Sequence, residues 1–246
     1  MTLTCRTEAP TLTRMLLRAT VRDRFEDDLV VWVQPSRIEH YVGKSVPLLG
    51  GVDKVAWRVP ATLRRRLARF VRRVRPSRDG PFFIPAAHYR HPMPIELLEK
   101  YTIVADLIAC RDTYIRSIWF NELRRSLERH GTAKHKSIEM RTIEDVHAFF
   151  SGYVLPLVES MARDGYDVTR GHPFGGVIVS ADGQLHKANA GDHRFFVARV
   201  VGASPVPLRV VGIDERWPRT MGLGCDLASM PAVIEAVQVV GQRYGS

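Results

Sequence analysis

Apolar residues recur with two different periods along this chain of 246 residues, and the change falls near Gly165. Before it the steps are three and four. Val59, Leu63, Leu67, Phe70, Val71 and Val74 line one face of a helix expected over 59–74, with Pro60 in its first turn. Pro76 and the Asp79-Gly80-Pro81 turn end it. A second helix is expected over 113–130, with Ile115, Ile118, Trp119, Leu123 and Leu127 as its buried stripe and Gly131 as its stop. Pro94 opens another over 95–110. Thr142, Glu144 and Asp145 read as the cap of a helix over 143–163, with a break expected near Gly152 and Pro156.

After Gly165 the period shortens. Residues 176–180 (GVIVS) form a strand, Ala181-Asp182-Gly183 a hairpin turn, and 184–187 a strand pairing back. A helix over 193–201 offers Phe196, Val197 and Val200 for burial. Residues 205–212 (PVPLRVVG) make another strand, with proline near its start, and 232–244 a terminal amphipathic helix. Nearer the N-terminus, 29–33 is a β-rich run stopped by Pro35. Residues 41–56 read as loop with one short strand at most, 82–94 as an aromatic, proline-punctuated connection, and 137–140 as a short link.

The resulting expectation is an α+β fold: a small mixed sheet with helices, plus a mainly helical N-terminal or inserted region. Three segments follow. Residues 1–145 are mainly helical, with the basic helix at 59–75 and 28–38 as a first strand of the core. Residues 146–218 form the core, and 219–246 a C-terminal helix.

Composition narrows the class. With 45% hydrophobic and 25% charged residues, the chain is an ordinary globular protein. No stretch reaches the roughly 20 apolar residues of a membrane span, and 1–24 lacks the apolar core of a secretory signal. Cys5, Cys110 and Cys225 are far apart and without metal-site spacing, which points to reduced thiols and a cytoplasmic setting. The net charge of +10 is uneven: residues 165–246 carry 8 Lys+Arg against 7 Asp+Glu, the first 164 carry 28 against 19. Residues 58–78 hold nine arginines and no carboxylate. The flanks Arg64, Arg65, Arg66, Arg69, Arg72 and Arg73 suit nucleic-acid phosphate, an anionic membrane surface with peripheral attachment, or plain solvation; all three stay open.

The chemistry concentrates at Gly191-Asp192-His193-Arg194, where a loop opens a helix. The first N–H groups of a helix lack internal partners and carry partial positive charge, which suits an anion. Gly191 permits a left-handed backbone and close approach, and Arg194 offers a planar fork for phosphate oxygens. Lys187 is near enough in sequence to pair with a phosphate, or is solvated; His186 is its neighbour. Asp167, Arg170 and His172 lie in the loop entering the hairpin. The histidines His88, His91, His130 and His135 have no metal-site spacing, and no metal site is expected.

The order of helix ending in glycine, hairpin, G-x-[HR]-R turn, helix and "VPL" strand over 154–211 resembles the ParB/sulfiredoxin superfamily. Residues 30–38 correspond to that superfamily's first strand. The resemblance extends to uncharacterised bacterial ParB-like proteins and, more distantly, to the free-serine kinases. It implies that Gly191, His193 and Arg194 contact nucleotide phosphates (ATP, ADP or CTP, with Mg an option), joined by Lys187 and His172 from the flanking elements. It also implies a small-molecule phosphotransferase or, alternatively, a nucleotide-responsive regulator or DNA-associated adaptor. Asp192 and Glu39 are then the candidate catalytic carboxylates, with Glu39 one residue out of register from the kinases' His-Glu pair. Three departures qualify it. Asp192 stands where sulfiredoxins carry the reactive cysteine, Ala190 where the kinases carry aspartate, and only 29 residues follow Trp217, too few for a partitioning-type DNA-binding domain.

Overall fold

The computed structural model describes residues 16–43, 80–89, 91–169, 174–188 and 191–245. The expected basic helix with its arginines, Arg170, His172 and Ala190 lie outside the described residues. The fold is mixed α+β with a mixed sheet.

Seven strands build that sheet. They are β1 (Val30–Val33), β2 (His40–Gly43), β3 (Phe83–Ile84), β4 (Met93–Pro94), β7 (Gly175–Val179), β8 (Leu185–Ala188) and β9 (Val206–Asp214). Their order is β1-β9-β7-β8-β2-β4, with β3 also on β9. β7 and β8 form the expected hairpin, and β9 runs parallel to β7 through a bulge opposite the Val177–Ile178 step. The chain before residue 145 thus supplies β1 to β4 of the same sheet, so a boundary there does not divide helical from sheet-forming chain. The stretches expected as loop or connection at 41–56 and 82–94 contribute β2, β3 and β4. These strands are two to four residues long, too short to give a periodic signal.

One helix layer covers one face of the sheet. The helix α6 (Asp192–Val201) buries Phe195, Phe196, Val197 and Ala198, while Val200, expected inside, is only half-buried. The helix α8 (Met230–Gly245) buries Met230, Val233, Val237, Val240 and Gly241, a three-four stripe packed on β1. A Cβ on Gly241 would lie 2.7 Å from Val31 Cγ1. Gln238 Nε2 donates to the Asp28 and Val30 carbonyls at 2.7 and 3.2 Å, so α8 also covers the edge that β1 presents.

A second core is helical. It packs α2 (Glu99–Ala109), α3 (Ile118–His130), the hairpin β5 (Ala133–His135) and β6 (Ile138–Met140), and α4 (Ile143–Phe149). The Thr142–Asp145 capping box opens α4. The expected break near Gly152 is a single π turn, Phe150–Val154, which leads directly into α5 (Leu155–Asp164) and buries Phe150 completely. Two expectations fail here. The helix expected from 113 begins at Ile118, capped by Ser117, whose hydroxyl accepts from Phe120 N at 3.2 Å. Ile115 therefore falls in a preceding 3₁₀ turn and is 51% exposed, and Ile118 is 40% exposed. Residues 133–140 pair as a hairpin rather than a link, turning at Lys136 with φ of 54°.

Among the described residues no helix is long and apolar enough to cross a membrane. Phe150 touches Tyr114, Trp119, Phe120 and Phe149 ring to ring, so Phe150→Ala is expected to cost about 3–5 kcal/mol by urea denaturation.

Candidate functional site

The turn before α6 has the conformation that its glycine allows. Gly191 sits at φ 85°, and a Cβ there would lie 2.7 Å from Gly175 Cα at the start of β7. Two glycines thus bring the loop backbone against the sheet, and no side-chain cap covers the helix start. The N–H groups of Asp192 and His193 have no acceptor among the described residues. Arg194 follows at the third helical position, half-buried.

Beneath this turn lies a buried ion pair. Lys187, fully buried on β8, donates through Nζ to Asp192 Oδ1 at 3.1 Å and to the Ala188 carbonyl at 2.8 Å, with the Phe195 ring 5.6 Å away. Asp192 Oδ2 accepts from Lys100 Nζ and from the Tyr41 hydroxyl, each at 3.2 Å. Tyr41 reaches it because β2 runs parallel to β8 with Tyr41 beside Lys187. Burial pulls the Lys187 ammonium below the ordinary lysine value, opposed by the charge of Asp192 and by its bond. Burial alone would raise the Asp192 carboxyl, but Lys187 and then Lys100 outweigh it and hold it below the usual carboxylate range. Burial, with the Asp192 charge, pushes the Tyr41 phenol up to about 12, so it stays a donor.

The sequence-based roles shift accordingly. Lys187 is neither solvated nor pointed at solvent; it anchors Asp192. Both Asp192 oxygens are held by cations and a phenol, so this carboxylate is ionised and engaged, ill suited to take a proton. Glu39 is exposed and makes no side-chain contact with the cluster among the described residues. A Mg ion does not fit these donors, since the one carboxylate present already faces two ammonium groups. Among the described residues no group of three or more His, Cys, Asp or Glu side chains is set to hold a metal.

His193 faces the second core. Its ring stacks on Trp119 at 5.4 Å and meets His135 edge-on at 5.0 Å. Burial, then the positive environment of His135 and Lys136, lowers its pKa to about 4, with Lys100 acting the same way and Asp192 opposing. At neutral pH His193 is therefore an uncharged donor or acceptor. Lys100, Lys136, Trp119 and His135 went unnoticed as site residues. They come from two helices and a hairpin far away in sequence, and no local motif marks them.

His186 belongs to the opposite face of the sheet. Its Nδ1 lies 2.9 Å from the Tyr89 hydroxyl and its ring 5.3 Å from that of His40, so it does not join Lys187. Burial and His40 lower its pKa to about 4, opposed by Asp182.

Two expectations follow. Between pH 6.5 and 4 the unfolded chain binds protons that folded His186 and His193 refuse, so stability falls with pH through that window and levels below it. Melting temperatures of the His186→Gln, His193→Gln double variant should vary less with pH there. Asp192→Asn leaves the buried Lys187 ammonium without its charge partner and should cost about 3–5 kcal/mol in chemical denaturation. No protein-family model matches the chain, and neither a curated protein nor a solved structure matches it.

Proposed function

We propose that the chain is a ParB/sulfiredoxin-like protein that binds the phosphate of a nucleotide or phosphorylated small molecule at the start of α6. The observation that carries this reading is the charge around an uncapped helix N-terminus. Lys100 and Lys187 hold Asp192, Lys136 lies near enough to His193 to weigh against its protonation, and Arg194 is two residues from Asp192. Two cations thus meet the carboxylate and two more lie on or near the same first turn, and the helix dipole adds to them. Lys100, whose side chain is 58% exposed, is the cation free to turn from Asp192 to an incoming phosphate.

Binding is favoured over phosphotransfer. A transfer base needs a carboxylate in reach of the acceptor and titrating near working pH. Asp192 is engaged and held below the usual range, and Glu39 does not reach the cluster.

The test is calorimetry and thermal shift with ATP, ADP and CTP. Arg194→Ala and Lys100→Ala should each lose a charge-assisted hydrogen bond worth about 1.5–3 kcal/mol, roughly 10- to 100-fold in Kd, while for the exposed Lys100 the melting temperature of the variant without ligand stays near that of the parent. Affinity unchanged in both variants would sink the reading, as would the absence of any stabilisation by the three nucleotides.

A further inference from the structure

The second core carries a groove of about 600 Å³ that shares no lining residue with the α6 cluster. Its apolar lining comes from Ile115 in the 3₁₀ turn, Phe120 in α3 and Ile143 in α4. Ile115 is half exposed because the Ser117 cap excludes it from the helix that would have buried it. The polar lining is Arg116, Asn121, Arg124 and His147, with no carboxylate among the lining residues.

That polar wall is built rather than loose. Asn121 donates its amide to the Ile115 and Ser117 carbonyls at 3.3 and 2.9 Å, and its Oδ1 accepts from Arg124 at 3.3 Å. The Tyr114 hydroxyl and His147 Nδ1 stand 2.9 Å apart, which fixes the imidazole at the groove wall. Glu128 lies 3.8 Å from Arg124 as an exposed i,i+4 pair. Such a pair is weak, so an incoming carboxylate displaces it readily.

We infer that this groove docks an acidic amphipathic helix of a partner protein, leucine-type side chains on Ile115, Phe120 and Ile143 and carboxylates on Arg116 and Arg124. The charge selects the occupant. The chain's own segments outside the described residues have the wrong sign: residues 44–79 carry 11 Lys+Arg against 2 Asp+Glu. An open apolar strip flanked by cations suits the apolar and acidic faces of an amphipathic helix laid along it.

Fluorescence anisotropy of the full chain tests this with a labelled peptide of repeated Glu-Leu-Leu-Glu units, against its Lys-Leu-Leu-Lys counterpart. The acidic peptide should bind and the basic one should not. The Arg116→Glu, Arg124→Glu double variant and Ile115→Asp should each weaken binding by about tenfold or more, and added salt should weaken it for the parent. All three side chains are substantially exposed, so melting temperatures should hold. Should they fall, Arg116→Gln and Arg124→Gln carry the comparison. Equal binding of both peptides, no binding of the acidic one, or affinity indifferent to the substitutions overturns the inference. So does sedimentation with phosphatidylglycerol vesicles that the same variants abolish, which would make the groove a lipid site.

Discussion

The pair Lys187–Asp192 joins the last residues of a hairpin strand to the first residue of the helix that follows. An ammonium with no exposed surface is costly unless a charge and further hydrogen bonds meet it. Here the Asp192 carboxylate and the Ala188 carbonyl do so, which ties β8 to α6 at a fixed distance. Gly191 must then turn through the left-handed region, and because it carries no Cβ the turn can lie against Gly175 of β7. Tyr41 and Lys100 complete the arrangement from β2 and α2, so four separate elements converge on one carboxylate.

That convergence decides what kind of chemistry the turn supports. A carboxylate with two ammonium partners is an electrostatic anchor, and it leaves one net positive charge beside the start of α6. His193 adds no charge at neutral pH, because its ring is buried against Trp119 and His135 and lies near Lys136. The site is consequently basic through lysines and arginine, with an imidazole available for neutral hydrogen bonding.

The sequence made some of this legible for identifiable reasons. The Asp182-Gly183 turn between two short apolar runs located the β7–β8 hairpin, and the glycine before Asp192 located the helix start, because both depend on local backbone preferences. The Thr142–Asp145 cap was readable on the same grounds. What stayed hidden depends on partners distant in sequence. Lys187 reads from sequence as a phosphate partner or a solvated side chain because a buried lysine and an exposed one have the same local pattern, and Asp192 reads as a catalytic carboxylate because Tyr41 and Lys100 lie 151 and 92 residues away. Ile115 was misread because a stripe at helical spacing says nothing about which residue caps the helix.

The His193 ring is one of the places where the two cores meet, beside α2 with Val104 in one core and Leu107 in the other, and this gives the site a rigidity that a loop alone would lack. Trp119 belongs to the helical core through Phe149 and Phe150, and it stacks on His193 at the second position of α6. Any displacement of the start of α6 must therefore either unstack that ring or shift the Trp119 cluster, and close packing on both sides opposes each movement. Lys187 and Gly191 hold the same residues from the sheet side. A helix N-terminus held from two cores keeps the direction of its dipole and of its first N–H groups fixed, which is the preorganisation that the proposed phosphate binding relies on.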